Sequence, residues 1–167
     1  MPKDRLPAAG RETNEEGVGA ARVAGPLVHS VEVTVRYAET DQMGRAHHGV
    51  YVVWCELGRT SMMREHGVSY ADLEQRGVYL PVTRLDVEYR SPAHYEEPVR
   101  IDTRIPEVRS RTVRFDYELF GSGDRLLARA STELPCIDAE GRMRRLPEDV
   151  RAALTAASRA ALTVASR

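Results

Sequence analysis

Cysteine is nearly absent: Cys55 and Cys136 are the only two in 167 residues. Cys55 lies in an apolar run and Cys136 in a late alternating segment, so both read as buried free thiols rather than a disulfide framework. No CxxC pair or cysteine–histidine cluster is present to hold zinc. No apolar stretch approaches the roughly 20 residues that a membrane span needs. The first residues lack the apolar core of a secretory signal, so the expected location is cytoplasmic. Charge of one sign is lacking too: 24 basic and 25 acidic residues leave a formal net charge of −1. That balance supplies no electrostatic case for a nucleic-acid or membrane partner.

What is present suits a single core. Residues 1–28, rich in Gly, Ala, Glu and Arg, show no sustained period and read as a disordered leader. From Val31 to Tyr37 apolar and polar residues alternate, the signature of a first strand. A nearly continuous apolar run, Val50 to Leu57, is interrupted only by Glu56 and continues into helix formers. It predicts a helix from about His48 to His66, buried on most sides, with Gly67 as its C-cap and Gly58 permitting a close approach. Ser69 to Gln75 reads as a short helical turn with Ser69 at its N-cap.

Four strands are expected after it. The first runs from Val78 to Tyr89, with Pro81 early in it. Two more place Val99, Ile101, Thr103 and Ile105, then Val113, Phe115, Tyr117 and Leu119, on one face. The last carries Leu126, Ala128, Ala130, Thr132 and Leu134. Gly121-Ser-Gly123-Asp is the hairpin turn between the last two. One-sided alternation predicts an antiparallel sheet with one wet face, and a long apolar helix against it makes an α+β domain. Leu146-Pro147 opens a C-terminal helix. The expected domain covers 29–154, with 155–167 a helical or frayed tail.

The chemistry gathers between the first strand and the helix. Arg36-Tyr37-x-Glu39-Thr40-Asp41-x-x-Gly44-x-x-His47-His48-x-x-Tyr51, followed by Glu56-x-x-Arg59, places a carboxylate-bearing loop at the start of a buried helix. Unpaired backbone donors occur at such a start, and a carboxylate beside amide N–H groups is a set of parts for acyl chemistry. Taken alone, Asp41 is as well explained as a turn residue. The whole motif resembles the hot-dog-fold acyl-CoA thioesterases, in particular the 4-hydroxybenzoyl-CoA thioesterase and YbgC-like branch. The resemblance runs from about Val31 to about Leu154.

That resemblance implies a five-stranded antiparallel sheet wrapped around one long central helix, and an enzyme needing no cofactor. The substrate would be an acyl-CoA or acyl-carrier thioester, and the assembly a homodimer or homotetramer with sites between subunits. Asp41 matches the catalytic carboxylate, as nucleophile or as base for water. His48 has two readings: its imidazole could orient the thioester or assist proton transfer, while the family position that it matches supplies an amide that, helped by the Gly49 region, polarises the thioester carbonyl. Tyr37 would sit near the carboxylate. Arg109 and Thr112, at a turn between strands, match a segment that contacts CoA. Glu56 is a rival carboxylate, because a second hot-dog branch uses one on the helix; as a substrate-side residue it would otherwise pair with Arg59. His47 reads as a wall or solvent residue. Two other readings remain at this stage: a hydratase or dehydratase of the same fold, and an acyl-thioester binder without catalysis.

Overall fold

The computed structural model describes residues 29–160, without the side chains of the last two. The expected leader, 1–28, and the end of the tail, 161–167, lie outside the described residues. Five strands, β1 (His29–Thr34), β2 (Arg84–Tyr89), β3 (Pro98–Val108), β4 (Thr112–Gly121) and β5 (Arg125–Pro135), form one sheet in the order β1-β3-β4-β5-β2. Every pairing is antiparallel. The helices are α1 (Val50–Glu65), α2 (Tyr70–Gln75) and α3 (Glu148–Ala160). This is the expected hot-dog arrangement of a five-stranded antiparallel sheet and one long helix.

The alternation seen in the sequence works as one apolar face and one wet face. Val99, Ile101, Val113, Phe115, Tyr117, Leu119 and Leu134 are buried on the inner side. On the outer side Arg104 and Arg129 both meet Glu118, at 3.3 and 3.0 Å. Such solvated pairs contribute little individually, up to about 1 kcal/mol. Two strands depart from expectation. β2 begins at Arg84 rather than Val78, because Pro81 has no N–H to give to a ladder. Before it, Tyr79 forms only an isolated bridge with Ile137. In β5 a register shift opposite Leu119 and Phe120 puts the extra residue Leu127 into the core, and Leu126 is displaced from the expected face.

Helix α1 packs on β1, β3 and β4. Its C-terminus is a Schellman motif: Val68 N–H donates to Met63 O at 2.8 Å and Gly67 N–H to Arg64 O at 3.0 Å, with Gly67 at φ +76°. Gly58 faces β3 against Ile101 and Thr103. Val53 and Leu57 form an exposed stripe, so the apolar run is not covered all round within one chain. His29 ties β1 to α1, its Nδ1 lying 2.6 Å from Glu65 and its Nε2 3.0 Å from Ser61 Oγ. The order resembles a catalytic triad, but Ser61 sits mid-helix, where neighbouring amides are committed to the helical ladder and cannot hold an oxyanion. The chain is a clamp.

Ser69 precedes α2 without a side-chain capping bond. Strand β3 outruns β1, and α3 covers that free end. Val150, Leu154 and Ala157 are buried, and Ser158 Oγ donates to Ile105 O at 2.8 Å. The first part of the Ala-rich tail is therefore packed helix.

Candidate active site

Between β1 and α1 the chain folds into a closed turn. Asp41 N–H donates to Arg45 O (2.8 Å) and Gly44 N–H to Asp41 O (3.0 Å), with Gly44 in the left-handed region at φ +69°. Asp41 Oδ1 accepts from the Met43 amide at 2.8 Å and the Arg45 amide at 3.4 Å. Asp41 thus does the turn work expected of an aspartate. It uses one carboxylate oxygen for it; Oδ2 has no hydrogen-bond partner among the described residues. The carboxylate opens on a cavity of about 290 Å³ lined also by Met43, Arg45, Ala46, His48, Tyr51, Tyr89 and the Arg90–Pro92 segment.

His48 borders the same cavity at the start of α1. The junction's amides divide their roles. Val50 N–H donates to His47 O at 2.9 Å, and Gly49 N–H donates to His47 Nδ1 at 3.1 Å. His47, read from the sequence as a wall residue, therefore caps the helix start and occupies the Gly49 amide. The His48 N–H has no partner among the described residues. A helix N-terminus with one free amide aimed by its neighbours can stabilise developing negative charge on oxygen. The two imidazoles lie against each other, centroids 4.1 Å apart.

The other positions expected from the motif are scattered. Tyr37 is 79% exposed, stacks edge-on against Tyr95 and is not among the residues lining the cavity. Glu56 is exposed on α1, also away from the cavity lining. Its expected ion pair with Arg59 is absent. Arg59 turns inward, 7% exposed, donating from Nε to Tyr70 OH at 3.0 Å and feeling the Tyr117 hydroxyl as well. Position 59 lies on the helix face towards β4, and the guanidinium fills the space between two tyrosines. Burial works against its charge, but the two hydroxyls outweigh it and hold its pKa above the ordinary arginine value. Arg109 is paired with Glu107 at 2.7 Å, and Arg109 and Thr112 close the β3–β4 turn through Arg109 N–H to Thr112 O. That turn is at the far end of β3 from the Asp41 loop, and β3 is 11 residues long, roughly 35 Å at the strand rise of about 3.3 Å per residue.

Sequence reasoning missed the wall opposite Asp41. Segment 90–97 is fixed to both the turn and the helix. Ala93 N–H donates to Tyr51 OH (3.1 Å), Ala46 N–H to Ala93 O (2.9 Å), and His94 Nδ1 lies 3.2 Å from Gly44 O. Its anchor is Glu97, 8% exposed, which accepts from the His94 and Ser122 amides and from Arg125 Nη2 at 2.6 Å. Arg125 also donates to Pro92 O at 2.7 Å. Pro92 marked a turn, but nothing in one sequence announces that Glu97 meets a hairpin 25 residues later. Burial pushes the Glu97 carboxyl up; the amides and Arg125 outweigh it and hold its pKa below the ordinary 4.5. Glu39 behaves alike: burial raises its pKa, and bonds from Arg36 bring it below 4.5.

A carboxylate whose pKa is depressed by folding contributes stability above its unfolded value and loses it as pH falls through the folded one. The melting temperature should therefore fall as pH drops from neutral past 4.5. Glu97→Gln should melt lower than the parent at neutral pH, with the gap closing in acid. A pH-independent gap would contradict this.

Among the described residues no three His, Cys, Asp or Glu side chains are grouped to hold a metal ion. No helix there is long and apolar enough to cross a membrane.

Residues 35–154 match the family model of the thioesterase-like superfamily. The chain is 36% identical over 113 residues to the putative acyl-CoA thioesterase YneP of Bacillus subtilis, covering 68% of this chain and 82% of that protein. It is 31% identical over 119 residues to the acyl-CoA thioester hydrolase YbgC of Escherichia coli, covering 71% and 89%. Among solved structures, the DHNA-CoA thioesterase of Staphylococcus aureus superposes with a TM-score of 0.67 at 36% identity, covering 73% of this chain and 81% of that one.

Proposed function

The chain belongs to the thioesterase-like superfamily, and on that premise we infer that it is an acyl-CoA thioesterase, hydrolysing an acyl thioester to free acid and thiol. The observation that carries the reading is the junction before α1. There a carboxylate oxygen and an amide, neither with a partner among the described residues, border one cavity. A thioester carbonyl placed between them has its oxygen at the His48 N–H and its carbon facing Asp41. Either Asp41 attacks the carbon, expelling thiolate and leaving a mixed anhydride for water to open, or it takes the proton of an attacking water. Both routes need the carboxylate charged, and in both the thiolate leaves to be protonated. The enzyme acts in the cytoplasm on CoA or acyl-carrier thioesters.

The active assembly is a homodimer or homotetramer. Arg109 and Thr112 are too far along β3 to serve the Asp41 of their own chain, so a second copy supplies them. Strand β2 supports this, since among the described residues it ends the sheet with an unpaired edge. Leu85 and Tyr89 on β2, with Val53 and Leu57 on α1, leave exposed apolar surface for a second copy to cover. Arg109 would exchange its solvated Glu107 pair for a CoA phosphate at little cost.

Arg109→Ala should raise KM for acyl-CoA several-fold while leaving KM for a short thioester without the nucleotide unchanged. Equal effects on both substrates would place Arg109 in structure. Co-refolding Asp41→Asn with Arg109→Ala subunits should yield hybrids with one intact site and more activity than the two separate proteins together. Activity equal to their sum would overturn the shared site.

A further inference from the structure

We propose that Tyr89 is a positioning residue for the carbonyl-binding amide, holding the loop–helix junction from the edge of the sheet. The inference rests on the thioesterase reading above. Tyr89 is the last residue of β2, paired with Ala128 of β5. Its hydroxyl donates to His48 O at 2.7 Å, joining positions 41 residues apart. That carbonyl has no other partner among the described residues, because Val52 N–H, the nearest helical donor, goes to Gly49 O at 3.2 Å.

The two peptides flanking the His48 α-carbon are thus held from different sides. The one carrying the His48 N–H is fixed through His47 O, which accepts from Val50 N–H. The one after it is fixed through His48 O by Tyr89 and through Gly49 N–H by His47 Nδ1. Together these bonds restrain both peptides that flank His48, so the plane that carries its N–H is braced from the peptide beyond it as well. Without the hydroxyl the second peptide keeps only the bond from Gly49 N–H to His47 Nδ1, and the donor's aim loosens. A donor aimed before the reaction begins stabilises an oxyanion far better than one that must be ordered during it.

The ring is held as carefully as the hydroxyl. Tyr89 stands edge-on to Tyr51, centroids 5.1 Å apart at 88°, and Tyr51 in turn receives the Ala93 amide. Both rings line the cavity. Sheet edge, helix start and the 90–97 wall therefore meet at one aromatic pair. The pair gives Tyr89 its fixed position, so the hydroxyl approaches His48 from rigid structure rather than from a loop.

The test is Tyr89→Phe, which keeps the ring and removes only the hydroxyl. The control is Tyr79→Phe, a half-buried tyrosine bridged to Ile137, outside both the cavity lining and the 90–97 wall. On the full chain with an acyl-CoA that the parent hydrolyses, Tyr89→Phe should lower kcat about fivefold to tenfold, the scale of one hydrogen bond. KM should stay within about twofold, since the bond serves the transition state rather than ground-state binding. The melting temperature should match that of the control. Unchanged kcat overturns the proposal and leaves the thioesterase reading standing. A fall in kcat accompanied by a matching fall in melting temperature also overturns it, because the hydroxyl would then be structural. A parent that releases no thiol from any acyl-CoA overturns both.

Discussion

Asp41→Asn should lower kcat by on the order of a hundredfold or more while the protein stays folded and still binds thioester. Asn keeps the side-chain oxygen that accepts from the Met43 and Arg45 amides, so the turn survives. Gly44 keeps its left-handed conformation, and the His48 amide and its supports are untouched. What disappears is the negative charge, which attack on the carbonyl and deprotonation of water both require. Circular dichroism and kcat measured on one preparation check this. Glu56→Gln is the paired control. Glu56 is exposed, lies off the cavity and makes no ion pair among the described residues, so its amide should change kcat little. The reverse outcome, with Asn tolerated at position 41 and Gln fatal at position 56, would move the catalytic carboxylate onto α1.

The parts of this site legible in the sequence are those set by local rules. A Thr-Asp-x-x-Gly turn, a glycine at a helix C-terminus and an alternating strand each follow from residues within a few positions of one another. Gly67 and the strand faces of β3 and β4 accordingly appear where expected. The departures come from tertiary structure. Leu127 enters the core only because β5 shifts register against β4, which no pattern within β5 reveals. Helical spacing pairs Arg59 with Glu56. Its true neighbours, Tyr70 and Tyr117, lie on two other elements. His47, Tyr89 and Glu97 share the same cause: each acts on a backbone group whose need for a partner depends on how distant segments meet.

Gly58→Ala should destabilise the protein although it improves an isolated helix. Alanine in place of glycine inside a helix gains about 1 kcal/mol of propensity. Here a Cβ would overlap Thr103 Oγ1 and the Ile101 Cγ2 methyl. Both residues are fully buried on β3, which is held by β1 on one side and β4 on the other, so neither can retreat. Overpacking of this kind costs about 1–3 kcal/mol, sometimes more, and wins when the neighbour is backbone-anchored. The melting temperature should fall. It should fall less in a Thr103→Ala background, where Oγ1 is gone. That hydroxyl makes no hydrogen bond among the described residues, so its removal sacrifices none there. Equal falls in both backgrounds would mean that Ile101 alone resists. A rise in the parent background would mean that the helix can lift from the sheet at no cost. Because α1 carries the His48 junction at its start, kcat should drop along with stability.

The central claim is tested most directly by thiol release. The purified full chain is given a panel of acyl-CoAs, from short aliphatic through aryl to long-chain, with a chromogenic thiol reagent reporting free CoA. The account predicts that at least one substrate yields thiol and free acid in equal amounts, and that this turnover collapses in Asp41→Asn. No thiol from any acyl-CoA, or equal turnover by parent and variant, would contradict it.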